Sequence, residues 1–318
     1  MFPIKHYYPN FLKHSEISPD KKLLSIHFTD CGEWYYSFVE RIHQALENQE
    51  YLPIYRISHG EYIMAIGDKL HKNPTPIEWL TFIYNKTLRF LNLRPLFYSG
   101  SKDNSYETIT KDEIEKAKGI YLNGLKEVAA NGMLAMTFYL HSGFEEYIVP
   151  YQKWLKEKQI ELTDKNYYSF YMVYCLLAGP DSNKLFEGRK IVVVSSFSEA
   201  KSDGLKKALN EKRCLMHHFI DVSPDKAIFD TIDLSLIPFT PEIVLVAAGV
   251  GSANIILQFK GVRCVIIDAG FALDALAFPD KRWNRPYCID DTNFDISKVK
   301  FLPNHILNRL NNTIYESL

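Results

Sequence analysis

The sequence has 318 residues, 47% hydrophobic and 24% charged, which predicts a soluble globular protein of one large domain or two ordinary ones. A formal net charge of −1 lacks the basic excess of nucleic-acid binders, so no nucleic-acid partner is expected. No apolar run has the length of a membrane span or a signal-peptide core, and the five cysteines form no CxxC pair. We therefore expect reduced thiols and a cytoplasmic location, with peripheral membrane association left open.

The first half of the chain is predicted to be mostly helical around one clear strand. After an irregular arm, Asp30 can cap a helix over residues 33–49, whose apolar residues have helical spacing. Leu52–Ile57 predicts a strand, and it leads directly into the polar turn 58–61. The other elements expected here are helices over 62–70, 77–93, 110–130, 144–158 and 163–178, and a strand over 133–140.

The second half alternates strands and helices. Strands are predicted over Lys190–Ser195, 214–220, Ile243–Ala247 and 262–267, and helices over Glu199–Glu211, 252–259 and 303–317. Two βαβ units in tandem predict an α/β fold, a Rossmann-like doubly wound and mainly parallel sheet with helices on both faces. We divide the chain into an N-terminal arm and helix (1–50), a helix-rich lobe (51–180) and a Rossmann-like lobe (181–318), packed as one compact unit.

Polar and glycine residues cluster where the predicted strands end. Since ligands of open α/β sheets bind beyond the carboxyl ends of the strands, these residues are the candidate site. The set comprises Arg56, Ser58, His59, Gly60 and Glu61 after the first strand, Gly249, Gly251 and Ser252 after the third strand of the second half, and Asp268, Gly270 and Asp274 after the last. Structural interpretations remain open, because Glu61 suits a helix N-terminus and His59 a plain turn.

The glycine turn allows more than one interpretation. Gly249-Val-Gly251-Ser-Ala-Asn254 is close to G-x-G-x-x-G, and Asp268 stands roughly where a Rossmann fold keeps its ribose-binding acid. However, Asn254 replaces the third glycine, and the unit does not lie on the first strand of the fold. Three interpretations of the turn stay open: it contacts a nucleotide or phosphate, it binds NAD, or it only makes a tight corner. Nearby, Lys281, Arg282 and Arg285 either meet phosphates or are simply solvated.

Taken together, these segments resemble the GT-D family of bacterial glycosyltransferases. The family's R-[FY]-G-D-G-E motif corresponds to residues 56–61, Arg-Ile-Ser-His-Gly-Glu, and its apolar "gkkvvvvs" strand to 187–195. Its late glycine-rich turn and D-x-G strand end correspond to 247–254 and to Asp268-Ala269-Gly270. The resemblance covers about residues 50–290. It departs from the family at His59, which replaces the first acid of the D-x-E pair.

The resemblance implies a glycosyltransferase that uses a nucleotide-sugar, commonly UDP-linked, and a glycan or lipid-linked glycan acceptor at the cell surface. It also implies that Glu61 and His59 act in catalysis or bind a divalent metal, Mn²⁺ or Mg²⁺, and that Arg56 contacts the donor. The replacement of an acid by His59 should weaken binding of a hard metal. The alternatives are an NAD- or other nucleotide-dependent Rossmann enzyme and a non-catalytic nucleotide- or glycan-binding protein.

Overall fold

The computed structural model describes residues 9–10, 27–28, 32–67, 76–93, 110–136, 145–163, 165–179 and 181–284. Two short strands, β1 (Pro9–Asn10) and β2 (His27–Phe28), pair with each other in antiparallel fashion. The α-helices of the described part are α1 (Gly32–Glu47), α2 (His59–Ile66), α3 (Pro76–Phe90), α4 (Lys111–Asn131), α5 (Glu145–Glu157), α6 (Phe170–Ala178), α7 (Asp181–Phe186), α8 (Glu199–Glu211), α9 (Ser252–Gln258) and α10 (Phe271–Ala277).

The remaining strands form one parallel sheet of seven. They are β3 (Leu52–Ile57), β4 (Met133–Met136), β5 (Tyr167–Ser169), β6 (Lys190–Ser195), β7 (Met216–Asp221), β8 (Ile243–Ala247) and β9 (Val265–Asp268). Their order across the sheet is β5-β4-β3-β9-β8-β6-β7, and every neighbouring pair is parallel. The expected parallel α/β sheet is confirmed. Because β3 pairs with β9, strands from residues 51–180 and from 181–318 belong to the same sheet.

Helices cover both faces of this sheet, which explains the uninterrupted apolar runs of its strands. Alternate strand residues enter two separate cores: Ile54, Val193 and Leu245 join one, while Val192 and Val244 join the other. The first core packs against α1, α6, α8 and α10, and the second against α2, α4, α5 and α9. The central strands predicted from their apolar runs are indeed buried on both sides.

Several predicted boundaries were wrong. The apolar stretch 163–178 was predicted as one helix, but residues Tyr167–Ser169 form strand β5 beside β4, and only Phe170–Ala178 is helical. Such a run suits a helix or a buried strand equally, and tertiary pairing decides. Helix α2 begins at His59 instead of residue 62, and β9 begins at Val265 instead of 262. The predicted helix over 303–317 lies outside the described residues.

The connections place a topological switch point between β6 and β8. The chain leaves β6 through α8 on the first face and reaches β7 at the sheet edge, whereas it leaves β8 through α9 on the opposite face towards β9. The two crossovers therefore diverge at neighbouring strands, and divergence of this kind opens a crevice beyond their carboxyl ends. We call this place, bounded by Ser195, Lys201 and Gly249, the β6/β8 crevice.

Candidate functional site

Arg56 and Asp268 form a buried ion pair at the carboxyl edge of the sheet. The two residues come from the neighbouring strands β3 and β9, and their side chains are 6% and 5% exposed. Arg56 Nε donates to the carbonyl oxygen of Asp268 at 2.6 Å, and Arg56 Nη2 lies 3.5 Å from Asp268 Oδ2. The backbone amide of Arg56 also donates to Oδ2 at 3.2 Å. These contacts join two motifs that lie 212 residues apart in the chain.

Gly270 lies against the guanidinium of Arg56, at a position that requires glycine. Its backbone has φ 45° and ψ −127°, a conformation that residues with a Cβ rarely adopt. A Cβ added to Gly270 would also run into the guanidinium of Arg56. The glycine of the D-x-G motif thus allows the arginine to lie directly against the backbone that follows β9.

Ser252 connects the turn after β8 to the same pair. Its hydroxyl donates to Asp268 Oδ1 at 3.1 Å and accepts from the amide of Ala248 at 3.2 Å. Ser252 is fully buried, and Asp268 is 3% exposed. Both residues were predicted to bind a nucleotide, but the structure places them beneath the surface, where they hold two strand ends together.

Glu61 is engaged by its own helix start. Its Oε2 accepts from the amide and the hydroxyl of Ser58, both at 3.0 Å, and its Oε1 accepts from the hydroxyl of Tyr55 at 3.2 Å. This is the local pattern of a capping box, in which the third helical residue reaches back to the N-cap. Glu61 is 4% exposed, so its carboxylate stabilises the β3–α2 junction from inside the protein.

The two buried carboxylates hold protons more readily than exposed ones. Burial raises the pKa of Glu61, and the charge of nearby Asp268 raises it further, against hydrogen bonds from Ser58 that lower it. Burial also raises the pKa of Asp268, although Arg56 and the hydroxyl of Ser252 act in the opposite direction. One guanidinium thus faces two carboxylates, and a proton on one of them relieves the excess negative charge.

The contacts of Glu61 do not fit a metal ligand. Both of its oxygens already accept hydrogen bonds, and a metal would have to displace Tyr55 or Ser58. Within the described ranges, no three His, Cys, Asp or Glu side chains are grouped as a metal site requires. His59 is the first residue of α2, and its side chain lies outside the described part of the structure.

The β6/β8 crevice has a different, cationic character. Lys201, in the first turns of α8, donates from Nζ to the hydroxyl of Ser195 at 3.1 Å and lies 3.4 Å from Asp274 Oδ1. Lys281 Nζ lies 3.9 Å from the other oxygen of Asp274. Two ammonium groups therefore share one carboxylate. Across the crevice stands the exposed Gly249, with φ 53°.

The geometry of the glycine turn argues against a Rossmann dinucleotide site. Gly251 packs against the backbone of Ala227 and Ile228, where a Cβ would come within 2.6 Å, so it does not face a ligand. Asn254, in place of the third glycine, donates to the carbonyl of Asp230 at 2.8 Å. Asp268, the residue in the position of a ribose-binding acid, is already engaged by Arg56 and Ser252.

The tyrosines near the site belong to the core. The fully buried side chains in this region include five tyrosines: Tyr55, Tyr62, Tyr121, Tyr151 and Tyr167. Tyr121 and Tyr151 share a hydrogen bond between their hydroxyls, and Tyr62 packs edge-on against Tyr151. Aromatic faces that could stack on a sugar are therefore used for packing beneath Glu61.

The structure divides the predicted site residues into two groups. Arg56, Ser58, Glu61, Ser252, Asp268 and Gly270 meet in the buried cluster, and Gly60 lies in the first turn of α2 above them. Gly249 and Asp274 belong to the crevice, whereas Gly251 faces the core. Ser195 and Lys201 were not among the predicted site residues; Ser195 ends strand β6, and Lys201 lies in the helix that follows it. The side chains of Arg282 and Arg285 lie outside the described part.

Two cavities open at the opposite edge of the sheet. One of about 1010 Å³ is lined by residues that include Gly132 and Met133, and one of about 940 Å³ by residues that include Glu242 and Val265. These residues lie where strands begin, and ligands of open α/β sheets bind where strands end. We therefore place the candidate site at the carboxyl edge of the sheet.

Comparisons with protein-family models, with curated proteins and with solved structures found no match to this chain. Among the described helices, none combines the length and the apolar composition that crossing a bilayer requires.

Proposed function

We propose that the chain is a glycosyltransferase that moves a sugar from a nucleotide-sugar, with UDP as the nucleotide, to a cell-surface glycan or polysaccharide intermediate. The observation that carries the proposal is the contact between its two family-like motifs. Arg56 of the first motif and Asp268 of the second, 212 residues apart, are joined in one ion pair at the carboxyl edge. That edge also contains the switch-point crevice, where this class of sheet binds its ligands.

In this proposal the diphosphate of the donor binds in the β6/β8 crevice. Glycosyl transfer requires stabilisation of the departing nucleotide diphosphate, and fixed positive charge supplies it. Lys201 and Lys281 provide two ammonium groups, and the start of the thirteen-residue helix α8 adds the positive end of its dipole. The exposed turn at Gly249 leaves room for the nucleotide to approach the backbone.

The buried cluster positions the rest of the site. Arg56 fixes the backbone of Gly270, and Gly270 precedes α10, the helix that carries Asp274 into the crevice. Glu61 holds the start of α2 and is a positioning residue, while His59 remains the candidate catalytic residue that the resemblance supplies. Since Glu61 does not fit a metal ligand here, no step of the reaction is assigned to a metal.

Calorimetric titration of the full chain with UDP, GDP, CMP and NAD tests the proposal. We expect UDP to bind most tightly, and Lys201→Met to weaken it about 10- to 100-fold, since hydrogen bonds to charged groups contribute about 1.5–3 kcal/mol. Lys206→Met is the matched control, because Lys206 lies on the same helix but pairs with Asp203 on the exposed side. Preferential binding of NAD, or equal effects of the two substitutions, would contradict the proposed site.

A second measurement separates an enzyme from a binding protein. We expect slow hydrolysis of a UDP-sugar in the absence of acceptor, and faster release of UDP when a glycan acceptor is added. Lys201→Met should lower both rates, while Lys206→Met should leave them unchanged. Tight UDP binding without any release of sugar would support the non-catalytic alternative.

A further inference from the structure

Helix α3 presents its apolar side chains to solvent. None of its residues whose side chains the structure describes is buried. Leu80 is 60% exposed and Phe90 79%, and Ile77, Trp79 and Ile83 are also exposed. A helix of a globular protein normally turns such residues towards the core, so an exposed apolar set of this size marks a surface that meets another apolar phase.

The exposed residues form one continuous stripe. Trp79, Leu80, Ile83, Thr87 and Phe90 follow the three- and four-residue spacing of a helix face, which we call the α3 stripe. Its single hydroxyl is satisfied internally, because Thr87 Oγ1 donates to the carbonyl of Ile83 at 2.9 Å. Thr87 can therefore enter an apolar environment with its hydroxyl already hydrogen-bonded, while the indole N–H of Trp79 suits the boundary with water.

The segment around α3 is basic, unlike the whole protein. Residues 68–94 contain five Lys or Arg residues and two acidic ones, a net charge of +3, whereas the complete chain has −1. Trp79 and Tyr84 add rings of the kind that prefer the boundary between lipid and water. Cationic residues close in sequence to an apolar and aromatic stripe are the pattern of a helix that lies in an anionic membrane surface.

The end of α3 is attached to the site edge of the protein. Asn92 donates from Nδ2 to Asp112 Oδ2 at 2.8 Å and accepts from the amide of Asp112 at 3.3 Å. Asp112 lies in the first turn of α4, the helix that leads back to the beginning of β4. The first turn of α4 therefore lies at the carboxyl edge of the sheet, where the β6/β8 crevice also opens.

We propose that the α3 stripe docks this protein on an anionic lipid surface. At about 1.5 Å per residue, its fifteen residues reach about 22 Å, short of the roughly 30 Å of a bilayer core, so α3 lies on the membrane instead of crossing it. The positive charge favours lipid headgroups over a neutral protein groove. The docking turns the site edge towards the membrane, and it does not depend on the proposed transfer reaction.

Flotation of the full chain with lipid vesicles tests this inference. We expect binding to vesicles of phosphatidylcholine mixed with phosphatidylglycerol, and weaker binding to phosphatidylcholine alone or at high salt. Leu80→Glu should lower the partition coefficient tenfold or more, because it places a charge in the centre of the stripe. The matched control is Leu236→Glu, the same change at a leucine that is 70% exposed elsewhere, and it should bind like the wild type.

Three outcomes would overturn the inference. The first is a wild-type protein that fails to float with anionic vesicles, and the second is equal loss in Leu80→Glu and Leu236→Glu. The third is that the wild type is a dimer in analytical ultracentrifugation, and that Leu80→Glu dissociates this dimer without changing vesicle binding. That result would show that the stripe contacts a second copy of the chain. Because no donor or acceptor is present in these assays, they can fail without affecting the proposed function.

Discussion

Replacing Gly270 by alanine tests whether contact with Arg56 fixes the end of β9. The new Cβ would meet the guanidinium of Arg56, and the backbone would stay in a conformation that alanine disfavours, with φ 45°. The backbone strain contributes about 1–3 kcal/mol. Moving the guanidinium would break a buried ion pair, which costs about 3–5 kcal/mol when one partner is lost. We therefore expect Gly270→Ala to lower the free energy of unfolding by about 4 kcal/mol or more.

Gly188→Ala is the matched control for the backbone term. Gly188 also has a positive φ, 71°, but nothing lies within 4 Å of the position its Cβ would occupy. This substitution should cost only the strain of a left-handed residue, about 1–2 kcal/mol. Denaturant titrations followed by circular dichroism at pH 7 compare the two variants with the wild type.

A double-mutant cycle isolates the contact itself. In an Arg56→Met background no guanidinium stands in the way, so the cost of Gly270→Ala should fall to the strain of about 1–3 kcal/mol. A Gly270→Ala protein that loses no more stability than Gly188→Ala would refute the reasoning. So would a cycle in which the cost of Gly270→Ala is the same with and without Arg56.

Three further predictions concern the buried carboxylates. Glu61→Gln should change the unfolding free energy by less than about 1 kcal/mol at pH 7, because a capping box accepts either residue; a larger loss would show that the charge itself is needed. The pKa of Glu61 is raised in the folded protein, so its protonation stabilises the fold fully below the ordinary pKa of 4.5, and this stability is lost as pH rises. The melting temperature of the wild type should therefore rise relative to that of Glu61→Gln as pH falls from 7 towards 4.5. A difference in melting temperature between the wild type and Glu61→Gln that stays constant with pH would contradict this prediction. Finally, UDP release should persist in EDTA, and complete loss that Mn²⁺ restores would show that Glu61 and His59 do bind a metal.

Much of the fold could be predicted because its central strands have unambiguous local signals. β3, β6 and β8 were located to the residue. β6 and β8 are β-branched apolar runs, and β3 ends abruptly at the polar turn that begins with Ser58. β5 was missed because its three residues precede α6 without any turn signal, and only pairing with β4 makes them a strand. Local periodicity alone does not contain that long-range contact.

The site was predictable only in part, for a similar reason. The residue types of Arg56 and Asp268 mark two strand ends, yet their pairing depends on β9 lying beside β3, which is not apparent from the sequence. The same is true of the crevice, because β6 and β8 are neighbours in space while β7 intervenes in the chain. In the sequence, nothing distinguishes Lys201 from other lysines of an amphipathic helix. Only the order of the strands brings it beside Ser195 and Asp274.

Under the proposed function, the distribution of charge favours one of the two groups as the binding place of an anionic donor. The buried cluster contains one guanidinium and two carboxylates, so a diphosphate placed there would meet excess negative charge. In the crevice, Lys201 and Lys281 both lie within 4 Å of the one carboxylate of Asp274, so an anion placed beside these two ammonium groups would be attracted. Substitutions in the two groups should therefore have different main effects. Arg56→Met should mainly lower the melting temperature, whereas Lys201→Met should lower UDP affinity with little change in the melting temperature. Under the proposed function, the motif residues Arg56 and Asp268 support the site, and Lys201 and Lys281 contact the ligand.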